Sequence, residues 1–316
     1  MKWCCIDTNP GQESSPPIDI GGGNYISTVA FAANGEVIVG GGQGDKVGVW
    51  RVEDRKEMAL MAARDYVYSL AVSKDGRWIA AGTYGEVLMW DAKTFEKVFS
   101  HKEDNYGISG VDFSPDSTRL VTASYNNKAA IWDVATRQKA LSLDHERFLV
   151  AAKYSPQGDR IATATLESVR VWDSNDGRLL VHIPVKEPPH FNTGLLWSEN
   201  HLFVVSDSTL KQSETYTGST VSEWLVPGTN YSSRVALPKH GEFIVYSTND
   251  TVTFWDTSAH IQLGLIQHTQ PIRSIALSPD DQFLAIGASN GEIAIKDLRD
   301  VWRAPYSTVS IVYCRL

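Results

Sequence analysis

The sequence predicts an all-β fold, a ring of seven four-stranded antiparallel sheets built from one repeating unit. Two observations carry this. An apolar strand closed by Trp-Asp recurs at nearly constant spacing, and a strand–turn–strand pattern precedes each copy. A third bounds the class: 316 residues, 42% hydrophobic and 21% charged, suit a folded chain with a sizeable core and not a disordered or collagen-like one.

The repeat is read from its closing strands. Met89-Trp90-Asp91, Ile131-Trp132-Asp133, Val171-Trp172-Asp173 and Phe254-Trp255-Asp256 keep both residues, while Val49-Trp50-Arg51 keeps the Trp alone. Extending the register adds Thr209 to Thr215, centred on Ser213, and Ile293-Ala294-Ile295-Lys296-Asp297, with Lys in the Trp slot. The anchors fall at 50, 90, 132, 172, 213, 255 and 296, at intervals of 40, 42, 40, 41, 42 and 41. Trp224 does not fit: as an anchor it leaves intervals of 52 and 31, and the second is too short for four strands. Thr220 to Val226 reads instead as the outer strand after the fifth anchor.

Polar turns divide each unit. Ala33-Asn34-Gly35, Lys74-Asp75-Gly76, Ser114-Pro115-Asp116, Ser155-Pro156-Gln157-Gly158, Pro238-Lys239-His240-Gly241 and Ser278-Pro279-Asp280 supply the backbone angles that a tight hairpin needs. Their flanks, such as Ser109–Phe113 with Arg119–Ala123, have strand length and composition. Three strands plus an outer one in about 41 residues make one blade of a propeller.

Period, turns and Trp-Asp endings together resemble the WD-repeat β-propeller family over about residues 16–300. Residues 1–15 are then an N-terminal extension and 301–316 a C-terminal tail or extra strand. Only six outer strands fit between seven anchors. Pro17-Ile18-Asp19-Ile20 is the favoured seventh, closing the ring and leaving no sheet edge, with Ser307 to Tyr313 as its rival. The resemblance also implies a hydrogen-bonded network of His, Ser/Thr, Asp and Trp inside each blade. His101, Thr122, Asn126 and Trp132 approach it in the third repeat, and His145, Thr163, Glu167 and Trp172 in the fourth. The seventh repeat has His268 but no Trp. Trp50, Trp90, Trp132, Trp172 and Trp255, with these three His, are therefore read as structural anchors.

Signs of chemistry are few. The net charge of −8 gives no footprint for nucleic acid. No run approaches the about 20 apolar residues of a membrane helix, and the N-terminus lacks a signal-peptide core. Cys4, Cys5 and Cys314 lie near the termini, so no disulfide framework spans the body, and the expected location is cytoplasmic or nuclear. No metal-ligating spacing and no cofactor motif appears. Gly287-Ala288-Ser289-Asn290-Gly291 satisfies the nucleophile-elbow pattern, but it reads as a turn between two strands with no following helix. Gly21–Gly23 and Gly40–Gly44 read as permissive turns in the first blade.

One pattern points to binding. Aligning the first strands on Val29, Leu70, Val111, Ala152, Leu195, Val235 and Ile275 places Tyr25, Tyr66, Gly107, Phe148, Phe191, Tyr231 and Pro271 at the strand entries, with Tyr106 beside Gly107. Tyr68, Arg147, His190 and Arg273 lie near. Aromatics and Arg dominate binding hot spots, although large entry residues also pack the blade below. The function expected, as the family resemblance implies, is a non-catalytic platform binding a protein or peptide on that face, in a chain monomeric by itself. The alternatives are a small-ligand or carbohydrate binder on the aromatic rim, a sensor module of a larger regulatory protein, or an enzyme, which would need convergent carboxylates or His at the channel.

Overall fold

A computed structural model describes residues 6–7, 17–19, 24–185, 194–199, 201–206, 209–225, 234–238 and 241–299. Two short strands open the chain, β1 (Ile6–Asp7) and β2 (Ile18–Asp19). The first blade is β3 (Ile26–Phe31), β4 (Val37–Gly42), β5 (Lys46–Arg51) and β6 (Glu57–Ala62). The second and third share one six-stranded sheet made of β7 (Val67–Val72), β8 (Trp78–Asp91), β9 (Lys97–Phe113), β10 (Arg119–Ser124), β11 (Lys128–Asp133) and β12 (Lys139–Asp144). In β8 the chain turns tightly at Gly85, whose φ is 85°, so its two halves serve as second and third strands. β9 is the outer strand of blade two and then the first strand of blade three.

The fourth blade is β13 (Leu149–Tyr154), β14 (Arg160–Thr165), β15 (Ser168–Asp173) and β16 (Leu179–Pro184). The fifth is β17 (Leu195–Ser198), β18 (His201–Ser206), β19 (Thr209–Glu214) and β20 (Thr220–Leu225), so Trp224 lies on an outer strand. The sixth is β21 (Arg234–Ala236), β22 (Phe243–Thr248), β23 (Thr251–Asp256) and β24 (Gln262–Gln267), with β1 parallel on its outer edge. The seventh is β25 (Ile272–Leu277), β26 (Phe283–Ala288) and β27 (Glu292–Asp297), and β2 pairs antiparallel with β27 through Ile18 opposite Ile293. The first strands touch in a closed cycle, β3, β7, β9, β13, β17, β21, β25 and back to β3. This is an all-β, seven-bladed propeller.

The core lies in seven layers, each between two neighbouring blades. Trp50 lies in the layer between blades seven and one, Trp90 between one and two, Trp132 between two and three, and Trp172 between three and four. Where Ser213 and Lys296 replace the Trp, aliphatic side chains fill the layer, for example Leu195, Leu202 and Val204, or Ile272, Leu284 and Leu298. The glycines of β4 belong to this packing. A Cβ on Gly40 would lie 2.6 Å from Ile293 and one on Gly42 2.0 Å from the Tyr25 carbonyl, so these residues are close-approach sites in a strand and not the permissive turns predicted.

Asp follows Trp because its carboxylate organises the next turn. Asp91 accepts the N–H groups of Lys93 and Thr94, Asp173 those of Asn175 and Asp176, and Asp256 those of Ser258 and Ala259. Hydroxyls link the first strands of successive blades. Thr28 Oγ1 accepts the Leu70 N–H at 3.2 Å, Ser69 Oγ the Val111 N–H at 3.1 Å, and Ser274 Oγ the Val29 N–H at 2.9 Å across the seam.

The internal networks are shorter than the resemblance implies. In blade four, Trp172 Nε1 donates to Thr163 Oγ1 at 2.8 Å, and His145 places Nε2 2.9 Å from the same oxygen and Nδ1 3.1 Å from the Leu143 carbonyl. A carbonyl only accepts, so Nδ1 carries the proton and Nε2 receives the Thr163 O–H. Glu167 takes no part; it pairs with Arg147 at the surface, 3.3 Å apart. In blade three, Trp132 donates to Thr122 at 3.1 Å, but His101 rests against the Trp132 ring and faces Glu103, which also receives Asn126. Glu103 captures both groups because it lies on the same strand as His101. His268 is buried, its Nδ1 near Gln270.

Ile18 is buried in the seam layer beside Ile26, Trp50 and Ile293. Ile18→Ala should therefore lower unfolding stability by about 2–4 kcal/mol in denaturant titration; a loss below about 0.5 would remove β2 from the ring. Burial depresses the His145 pKa from 6.5 to about 4. The neutral imidazole contributes stability that is fully present above pH 6.5 and is lost as pH falls towards 4, at about 1.4 kcal/mol per unit. His145→Gln should flatten the stability profile in that window, and parallel profiles would contradict a buried neutral imidazole at His145.

Candidate functional site

Strand direction alternates, so the entries to the first strands and the turns between second and third strands share one face of the ring. A backbone bond repeats there: Gln43 N–H donates to the Tyr25 carbonyl, Tyr84 to Tyr66, Tyr125 to Gly107 and Ser289 to Pro271. Ser289 is thus one of these rim turns, in an antiparallel hairpin between β26 and β27, and has none of the strand–turn–helix setting that a nucleophile requires.

On this face the aromatics form a continuous arc over blades one to four. Tyr25 and Tyr66 have ring centroids 5.8 Å apart, Tyr66 and Tyr68 4.5 Å, Tyr68 and Tyr125 5.9 Å, and Tyr125 and Phe148 5.9 Å. Three of these contacts are edge-to-face, the favoured aromatic arrangement. Arg273 of blade seven extends the arc, its guanidinium carbon 5.5 Å from the centre of the Tyr25 ring. Gly107 explains the interruption at the third entry, because a Cβ there would lie 2.9 Å from the Tyr125 ring and 3.1 Å from that of Tyr68.

The predicted residues divide accordingly. Tyr25, Tyr66, Tyr68, Phe148 and Arg273 come together, each partly buried. Tyr106 stands away from the arc, 48% exposed, and Arg147 is exposed in its pair with Glu167. His190, Phe191 and Tyr231 lie outside the described residues, as do the three cysteines and the 307–313 segment.

Sequence reasoning missed Tyr125 and Arg234. In the sequence Tyr125 reads only as a turn residue, though strand alternation puts that turn on the aromatic face. Arg234 opens β21 in blade six, and its charge interacts with Tyr66, Tyr125 and Arg273. Burial lowers its pKa to about 10, which leaves it charged at neutral pH. Burial also raises the Tyr66 and Tyr68 hydroxyls and pushes Tyr125 up to about 12, so all three are neutral donors. Among the described residues no group of three His, Cys, Asp or Glu is placed to hold a metal ion, and no helix is long and apolar enough to cross a membrane.

The opposite face carries a groove of about 620 Å³ between blades one and two, lined by Ala32, Val37, Met58, Ile79 and Phe95 with Lys74 and Lys93.

The model of the WD domain, G-beta repeat, matches residues 57–91, 93–133 and 261–295, which take in the outer strands of blades one, two and six and the inner strands of blades two, three and seven. The solved structure of U3-55K superposes with a TM-score of 0.80 at 16% identity, covering 89% of this chain and 98% of that one. Three segments of the chain thus match WD repeats, and its fold is that of a WD-repeat β-propeller. WD repeat-containing protein 18 of Danio rerio is 23% identical over 289 residues, 82% of this chain and 66% of that protein. Protein groucho of Drosophila melanogaster is 27% identical over 44% of this chain and 20% of its own length. A chromatin assembly factor 1 protein of Gallus gallus is 26% identical over 50% of this chain and 25% of its own length. The chain thus spans under two thirds of each of these relatives. WD-repeat relatives are known as protein-interaction scaffolds and adaptors, and family members are generally non-catalytic.

In this WD-repeat ring the aromatic arc depends on the space above Gly107. Gly107→Ala should displace Tyr68 and Tyr125, lower stability by about 1–3 kcal/mol and weaken the near-ultraviolet circular dichroism. An unchanged spectrum and melting curve would mean that the arc is not packed as described.

Proposed function

We propose that this propeller is a non-catalytic platform that binds a protein or peptide on its aromatic face. The observation that carries the reading is the continuous arc from Arg273 through Tyr25, Tyr66, Tyr68 and Tyr125 to Phe148. Tyr and Arg combine large apolar area with directed hydrogen bonds, the combination that dominates interface hot spots. Neighbouring blades hold these side chains before a partner arrives, so binding orders little that was not ordered already. The apolar groove on the other face lacks this mixture. The likeness to a chromatin assembly factor 1 protein favours a nuclear setting for the partner over a cytoplasmic one.

The test is affinity capture from native lysate with wild type, a Tyr66→Ala/Phe148→Ala variant and a Lys74→Glu/Lys93→Glu variant of the opposite face, each shown to be folded by circular dichroism. A partner lost only with the first variant is expected. A partner kept by the first and lost by the second would move the working surface to the other face.

A further inference from the structure

On the face opposite the aromatic arc, the turns between first and second strands pack one on the next around the ring. Pro115 of blade three lies against Gly158 of blade four, where a Cβ would come 3.1 Å from the proline ring. Pro279 of blade seven stands in the same way by Gly35 of blade one. Between blades two and three the Asp75 N–H donates to Ser117 Oγ at 3.1 Å. Between blades one and two the cover is missing. Ala33 occupies the position that Pro115 and Pro279 hold before their second strands, and a Cβ on Gly76 would meet nothing within 4 Å. The groove of about 620 Å³ lies in this gap.

A second departure from the repeat walls the groove. The turn into the outer strand contains a left-handed residue, and in blades four and five it is a glycine, Gly177 and Gly218. Blade two puts Phe95 there at φ 60°, a region that a bulky side chain enters only against steric strain. A Cβ on Gly177 faces Leu143 of the preceding blade at 3.1 Å, so this position aims at the neighbouring blade. Phe95 accordingly packs on the layer between blades one and two.

The polar groups around the groove are largely committed. Asn34 donates to the Glu36 carboxylate and accepts the Glu36 N–H, and Asp75 Oδ1 accepts Ser73 Oγ and the Arg77 N–H. The N–H groups of Gly35, Gly76, Ala92 and Phe95 all donate to carbonyls of this chain. Lys74 and Lys93 are exposed at the rim, and among the described residues neither ammonium has an ion pair or a hydrogen bond. Against such walls an extended peptide would leave its own amides unpaired. A ligand with an apolar body and one anionic end would not. Cavities of about 300–1,000 Å³ suit small molecules of that kind.

We infer that this groove takes a small amphiphilic carboxylate, its apolar chain lying over Gly76 and Phe95 and its carboxylate meeting Lys74 and Lys93. The site is separate from the aromatic face.

The probe is decanoate, titrated calorimetrically into the full chain below its micelle concentration, with decanamide as the uncharged counterpart. Decanoate should bind saturably and at least about tenfold more tightly than decanamide. Lys74→Gln/Lys93→Gln should reduce it to the decanamide level, and Ala33→Trp, which fills the space over Gly76, should abolish both. Tyr66→Ala/Phe148→Ala should leave it unchanged. Each variant is first shown to be folded by thermal melting, and the lysine variant, altered only at exposed side chains, decides the question if Ala33→Trp does not fold. Absence of saturable binding, equal binding of the two probes, or a gain that survives in the folded lysine variant overturns the inference. Binding lost in Tyr66→Ala/Phe148→Ala and kept in Ala33→Trp overturns it too, by moving the amphiphile to the aromatic face.

Discussion

Each blade of this propeller has two apolar faces and supplies half of two core layers, so the layer at the seam stays incomplete, and two apolar faces bare, until the ring has closed. The seam between blades seven and one therefore bears on the whole structure. Ile18, Ile26, Val29, Trp50 and Ile293 share one layer there, and Ser274 accepts the Val29 N–H across it. The chain closes this layer with a strand taken from its N-terminal end, Ile18–Asp19, beside a strand taken from near its C-terminal end, β27. The entropic cost of closing such a loop grows slowly with length, about 0.6 kcal/mol per doubling, so one well-packed layer suffices to hold it. It also leaves the seventh sheet without an open outer edge at Ile293.

The same geometry builds the site. Because the first strands pack side by side, residues at their entries meet residues from the next blade, and the aromatic arc arises from Tyr25, Tyr66 and Phe148 on separate repeats with Tyr68 and Tyr125 between them. A glycine at 107 and an arginine at 234 distinguish this face from a plain repetition of the unit. The scaffold is generic to WD repeats, and those departures from it fall on the face proposed to bind.

Much of the fold was legible because Trp50, Trp90, Trp132, Trp172 and Trp255 fill equivalent layers and space themselves by the length of one blade. Ser213 and Lys296 were legible only through that spacing, since nothing in their chemistry marks a core position. The glycines of β4 mislead because sequence does not distinguish a glycine that turns from one that lets Ile293 approach. The family resemblance assigned Asn126 and Glu167 to internal networks, whereas in three dimensions Asn126 bonds to Glu103 and Glu167 pairs with Arg147. Tyr25, Tyr66 and Phe148 of the aromatic arc were visible from aligned strand entries, with Tyr68 and Arg273 near them. Tyr125 was not, because a turn residue meets Tyr68 and Phe148 only once neighbouring blades pack, and Arg234 was not, because the groups its charge acts on, Tyr66 and Tyr125, lie far away in sequence.

The account's central claim is that the closed ring is one cooperative unit, and native-state amide hydrogen exchange tests it most directly. If closure governs stability, the amides of β3 and β27 at the seam should exchange with free energies matching those of β13 to β15 within about 1 kcal/mol. Seam amides that open several kcal/mol more easily, while blades three and four stay protected, would show a ring that is stable without being closed and would contradict it.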